Sequence, residues 1–244
     1  MNIEDKVALV TGGARRVGKA IGLALARSGA RVLITYNTSA AEAAITVAEI
    51  NRSGGQASAI QCDQRDLDAI DRLFDRLRLD TARLDILVNN AAIMERKPAL
   101  EITPDDWSRV MDTNLRGPFF MAQRAAQWML TTGGGVIVNI ADLSALHPWP
   151  SYLTHTISKS GVVAMTQTLA LALAPSIRVN AIAPGAVLKP DEWSDERWVK
   201  MIAALPLRRE GTPEDVAEAV LYCVRSDFMT GQTIVIDGGR SLKG

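Results

Sequence analysis

His155 and Lys159 stand four residues apart in a stretch of helical apolar period. Residues i and i+4 share a helix face, so an imidazole and an ammonium project to the same side. Such a pair can move protons. A histidine with an ordinary pKa of ~6.5 is a workable acid near neutrality, and a neighbouring ammonium lowers that value. Tyr152 lies seven residues before Lys159, roughly 10 Å along a helix, too far for the same role. It is expected at a substrate pocket instead.

A second constellation sits near the start. The run Thr11-Gly12-Gly13-Ala14-Arg15-Arg16-Val17-Gly18 follows a short apolar segment and opens a helix-period stretch. Glycines between a strand end and a helix start let the backbone approach a pyrophosphate, which the helix N-terminus then holds. The next apolar segment ends in Tyr36-Asn37-Thr38-Ser39, with no acidic residue until Glu42. An NAD site calls for an acid there to bond the ribose 2′-hydroxyl. Arg15 and Arg16 suit a 2′-phosphate, with Asn37, Thr38 and Ser39 as neutral donors, so NADP(H) is the expected cofactor. The plainer alternative for the arginines is a solvated helix start.

These motifs resemble the short-chain dehydrogenase/reductase family, whose loop reads TGxxxGxG. Arg16 takes the middle glycine's place, which is similar to the pteridine reductase branch, as is the segment Tyr36-Asn37-Thr38-Ser39-Ala40-Ala41-Glu42-Ala43. The resemblance implies further cofactor contacts at Asp63, at Asn89 and Ala91 of Asn89-Asn90-Ala91-Ala92, and at Pro184 and Gly185. It implies a catalytic set of Asn114, Asp142, His155 and Lys159. His155 stands where the family has tyrosine, and Asp142 stands where it has serine, another trait of the pteridine branch. In the family the lysine bonds the nicotinamide ribose, so Lys159 belongs to both sets. Asp142 would raise the pKa of His155 and Lys159 would lower it.

Elements must position these groups. Short apolar runs at 6–10, 31–36, 56–61, 84–89, 136–141, 177–183 and 233–237 predict strands. Helix-period stretches at 16–28, 40–52, 67–79, 104–131, 151–173 and 213–225 alternate with them. Runs rich in Val and Ile suit a parallel sheet covered on both faces. Repeated βα units imply a doubly wound, Rossmann-type α/β sheet of about seven strands, one domain over 1–244. The segment at 186–210, with Pro190, Pro206, Trp193 and Trp198, is expected to form a short helical lid. Leu143, Tyr152, Val187, Trp193 and Trp198 are the expected substrate contacts.

Composition narrows the partners. Twenty-seven basic residues balance 27 acidic ones, which gives no general attraction to nucleic acid or anionic membranes. Two histidines and the distant Cys62 and Cys223 show no metal spacing, so no metal is expected. Residues 1–6 show no signal pattern and no apolar run spans a bilayer, which predicts a cytoplasmic enzyme. The helices around 107–129 and 160–173 are apolar on more than one face, Val162, Val163, Met165, Leu169, Leu171 and Leu173 among them. In the family these two helices pair between subunits, which implies a homotetramer, with a dimer as the fallback.

Three activities fit. The first is an NADPH-dependent reductase of a C=N bond, in a cyclic imine or a dihydropteridine-like substrate. An imine can arrive protonated and needs little acid, which accounts for His155 and Asp142 together. The second is a carbonyl reductase of ketones or 3-oxoacyl groups with His155 as acid. The third is an NADP(H)-binding protein with little or no catalysis.

Overall fold

In β1, Val7–Val10, every residue is buried, and neighbours along the strand face opposite ways. Ala8 and Val10 join one hydrophobic cluster, while Val7 and Leu9 join another. A strand of this kind needs a layer on each face. Helices α1 (Arg16–Arg27), α2 (Ala40–Arg52) and α8 (Pro213–Arg225) supply the first layer through Ile21, Leu25, Ile50 and Val220. Helices α3 (Leu67–Asp80), α5 (Gly117–Thr131) and α6 (Leu153–Leu173) supply the second through Phe74, Leu77, Met121 and Ala170. Each fully buried leucine or phenylalanine contributes roughly 1.5–3 kcal/mol of transfer free energy. This computed structural model describes residues 1–190 and 192–242. Asp191, inside the expected lid, and Lys243 and Gly244, at the end of the expected domain, lie outside the described residues.

The remaining strands are β2 (Arg31–Tyr36), β3 (Gln56–Gln61), β4 (Ile86–Asn89), β5 (Gly135–Ile140), β6 (Ile177–Pro184) and β7 (Thr233–Ile236). They form one seven-stranded parallel sheet in the order β3-β2-β1-β4-β5-β6-β7. This is the doubly wound α/β sheet expected from the sequence. From β1 the chain winds outward through β2 and β3, then returns to place β4 on the other side of β1. Val10 pairs with Ile34 on one side and Val88 on the other. At this switch point the connections leave the strand ends in opposite directions, which opens a crevice for a ligand.

The single helix expected over 104–131 is instead α4 (Pro104–Met111), a π-helical turn at Asp112–Arg116, and α5. Pro118 has no N–H for the carbonyl of Asn114 four residues back, so regular α pairing cannot continue there. The Gly117 N–H reaches back to the Asp112 carbonyl, five residues away. A further helix, α7 (Asp195–Ala203), lies within 186–210, and the Ser194 hydroxyl caps it by accepting from the Arg197 N–H. Among the described residues no helix is long and apolar enough to cross a membrane. Cys62 and Cys223 are buried thiols, and burial pushes them up to about 12 and about 11.

Candidate active site

The loop after β1 is tied to both neighbouring strands. Its Gly13 N–H donates to the Thr35 carbonyl and its Thr11 N–H to the Val88 carbonyl, each at 3.0 Å. Gly12 has φ +62°, and a carbon added to it would come 2.9 Å from the Ala91 Cα. One added to Gly18 would meet the Gly12 carbonyl at 2.2 Å. Backbone at this closeness, opening on the N-terminus of α1, fits a pyrophosphate cradle. Arg16 holds φ +54°, in the left-handed region that favours glycine. Arg15 and Arg16 are exposed at the crevice rim, as are Asn37 and Thr38, while Val17, Tyr36 and Ser39 are half-buried. The Ser39 hydroxyl makes no cap bond to α2. Asp63 is clamped by Arg65 at 2.6 Å, and this pairing holds its carboxyl below the usual range.

Asn89 does not turn toward the crevice. Its amide is buried and donates to the Pro118 carbonyl at 3.1 Å and to Asn139 Oδ1 at 2.9 Å. Asn90 is the side chain that stitches the floor, donating to the carbonyls of Thr11 and Gly12 at 2.9 and 3.1 Å. Pro184 ends β6 and is buried, and Gly185 bonds the Ile236 carbonyl at 2.8 Å beside the substrate cleft.

The structure brings Asn114, Asp142, His155 and Lys159 together. Asn114 sits in the π-helical turn, its Oδ1 accepting from the Ile93 N–H at 2.9 Å and its Nδ2 donating to the Ile93 carbonyl at 2.8 Å. His155 Nδ1 is 3.1 Å from that same carbonyl. A carbonyl only accepts, so Nδ1 carries a proton and Nε2 is the atom left for chemistry. Nε2 is buried, has no hydrogen-bond partner, and faces Asp142 Oδ1 at 3.9 Å. Burial alone would raise the Asp142 carboxyl, but the facing ring and the Ser144 N–H at 2.7 Å outweigh it and hold the pKa below the ordinary value. Lys159 is buried and donates one of its three N–H groups to the Ile140 carbonyl at 2.7 Å. Desolvation brings its pKa down to about 8, with Asp142 pulling the other way.

Beside this centre lies a cleft of about 270 Å³. Asp142, Tyr152, Trp193 and Trp198 line it, with Trp149, Met94, Arg197 and Arg240. Two expected contacts are elsewhere. Leu143 is fully buried behind Asp142. Val187 turns into the core against α8, while Ala186 and Leu188 on either side of it face the cleft. The Tyr152 hydroxyl donates to Glu192 at 2.6 Å and accepts from the Trp193 indole at 3.2 Å, so it points to the lid segment and away from Lys159. The Trp198 indole donates to Glu210 at 2.7 Å.

Sequence reasoning missed Gln64, Glu192, Arg240 and the Ile93 carbonyl. Asn90 stood within the quoted motif and could have been chosen over Asn89 by alternation, since Asn89 is a strand residue facing the next layer. The others carry no local signal.

Fold and site define a dinucleotide-dependent oxidoreductase class. The family model described as Enoyl-(Acyl carrier protein) reductase matches residues 12–241, and the chain belongs to the short-chain dehydrogenase/reductase family. It is 36% identical over 238 residues to a 3-oxoacyl-[acyl-carrier-protein] reductase of Synechocystis sp., covering 96% of each chain. A solved structure of a putative short-chain alcohol dehydrogenase from Sinorhizobium meliloti is similar with TM-score 0.94 and 34% identity, covering 99% of both chains. The FolM alternative dihydrofolate reductase 1 of Brucella suis, in complex with NADP, is similar with TM-score 0.93 and 35% identity, covering 100% of this chain and 98% of that one.

Proposed function

We propose that this protein is an NADPH-dependent reductase of a C=N bond in a cyclic imine or dihydropteridine-like substrate, working in the cytoplasm as a homotetramer. One observation carries the reading: the carboxylate at the wall of the cleft is Asp142, while His155 is buried and does not line it. A carboxylate beside the substrate favours a cation, and a protonated imine is one. Bound NADPH would supply the hydride. Gly12, Gly18, Asn90 and Ala91 would hold its pyrophosphate side, Arg15, Arg16, Asn37, Thr38 and Ser39 its 2′-phosphate, and Lys159 its ribose. The solved FolM relative in complex with NADP and the pteridine-reductase-like residues Arg16 and Asp142 support this choice.

In this reading Asp142 orients the substrate nitrogen and offsets its charge. His155 backs Asp142, its Nε2 facing the carboxylate at 3.9 Å. Asn114 fixes the ring by binding the carbonyl that His155 also binds. A second reading, carbonyl reduction, has the 3-oxoacyl reductase relative in its favour. It requires a doubly protonated His155 ring that passes its Nε2 proton through Asp142 to the substrate oxygen and keeps the Nδ1 proton.

NADPH oxidation with a cyclic imine and its ketone analogue separates the two, with NADH as control. The imine alone should turn over. His155→Ala should retain imine activity, and Asp142→Asn should lower kcat/KM roughly 100-fold. Ketone turnover that vanishes in His155→Ala would replace the first reading with the second.

A further inference from the structure

We infer that the substrate carries a carboxylate, and that Arg240, seconded by Arg197, binds it. The inference rests on the C=N reading for the identity of the reacting group but not for the anion site itself. Arg240 and Arg197 both line the cleft that contains Asp142. Each guanidinium lies over a tryptophan: Arg240 4.9 Å from the Trp149 ring centre and Arg197 3.7 Å from that of Trp193. Stacking fixes the plane of a guanidinium while leaving its edge of N–H donors open to a planar oxyanion.

Asp237, Glu192, Glu210 and Asp195 are engaged with other donors. Asp237 accepts from the N–H groups of Gly239 at 2.8 Å and Ser241 at 2.7 Å. Glu192 accepts from Tyr152, Glu210 from Trp198, and Asp195 from Lys189. Among the described residues no carboxylate hydrogen-bonds the side chain of Arg240 or of Arg197. Arg240 is half-buried, and burial opposes its charge, with Asp142 and Asp237 supporting it from a distance. Among the described residues nothing acidic is bonded to this half-buried guanidinium, and a ligand carboxylate would complete it.

Asp142 and the arginines therefore present opposite charges within one small cleft. A cyclic imine bearing a carboxylate matches both, its protonated nitrogen toward Asp142 and its carboxylate toward Arg240. A neutral imine would match only the first.

Calorimetric titration of the NADP⁺-loaded protein with benzoate and with benzamide tests the site without any turnover. Benzoate should bind about tenfold or more tightly than benzamide. Arg240→Gln should erase that ratio, Arg197→Gln should reduce it, and Arg240→Lys should keep part of it. Equal binding of the two ligands, or an Arg240→Gln protein that loses both alike, overturns the inference. Steady-state rates then test the link to catalysis. 1-Piperideine-2-carboxylate should exceed 1-piperideine in kcat/KM, and Arg240→Gln should narrow the gap. A benzoate preference without turnover of either imine would leave the anion site standing and remove the C=N reading.

Discussion

Lys159 holds its charge where burial opposes it. The ordinary lysine value of 10.5 falls to about 8 here, with desolvation the dominant cause and Asp142 offsetting part of it. The shift is a statement about stability. Between about pH 8 and 10.5 the unfolded chain keeps this proton while the folded chain has lost it. The unfolded state then binds more protons, so the free energy of unfolding rises with pH across that window. The full shift corresponds to about 3 kcal/mol. Urea unfolding of the wild type and Lys159→Met near both ends of the window should therefore show the wild type gaining on the variant as pH rises. A difference that stays flat with pH would mean that Lys159 is solvated like a surface lysine. The methionine variant removes only this titration, so other groups that change charge in the window cancel.

The π-helical turn at Asp112–Arg116 displaces carbonyls from their usual partners, and Gln64 takes one of them. Its Nε2 donates to the Thr113 carbonyl at 2.6 Å and to the Ala91 carbonyl at 3.0 Å. Gln64 is buried and so links the crevice floor to the turn that carries Asn114. Gln64→Leu keeps the bulk and deletes the donor, taking that partner from the part-buried carbonyls of Thr113 and Ala91 at a cost of about 2 kcal/mol. Denaturant unfolding should report that loss, and the turnover number should fall with it because Asn114 loses its anchor. Unchanged stability would mean the turn closes without Gln64. None of this was legible in the sequence, because a hydrophobic period follows which face is apolar and is blind to one extra residue in a turn. Pro118 was the available signal. The strands were legible because a two-sided sheet demands unbroken runs such as Val-Ala-Leu-Val at β1. His155 and Lys159 were legible because helix spacing alone joins them. Val187 was misread because a loop turn sends adjacent side chains to opposite sides, and the Val187 N–H bonds back to Gly185 at that turn. Arg240 escaped because its place in the cleft depends on the path of β7, 85 positions beyond His155 in the chain.

At the scale of the whole molecule, the balanced charge of the chain leaves its apolar surface to decide association. Part of that surface lies on α4, α5 and α6. Trp107 is 41% exposed, Leu130 54% and Leu171 85%, with Phe119 and Ile157 also open. Val163, Met165, Leu169 and Leu173 are only half-buried along α6. Helices left this apolar by their own subunit are suited to packing against a second copy. Light scattering after size exclusion should give about 105 kDa, four times 26.3 kDa. Leu171→Glu touches nothing in the subunit core, yet it would bring four charges into the shared faces. It should lower the mass to a dimer or monomer while the isolated fold keeps its thermal unfolding profile apart from the contribution of assembly. A monomeric wild type would rule out the tetramer, and a tetrameric Leu171→Glu protein would move the interface away from the end of α6. Assembly also bears on the site, since α6 carries His155 and Lys159 on its inner face. An interface on its outer face would stiffen the helix that sets their spacing, so dissociated Leu171→Glu protein should turn over more slowly than the parent at equal subunit concentration.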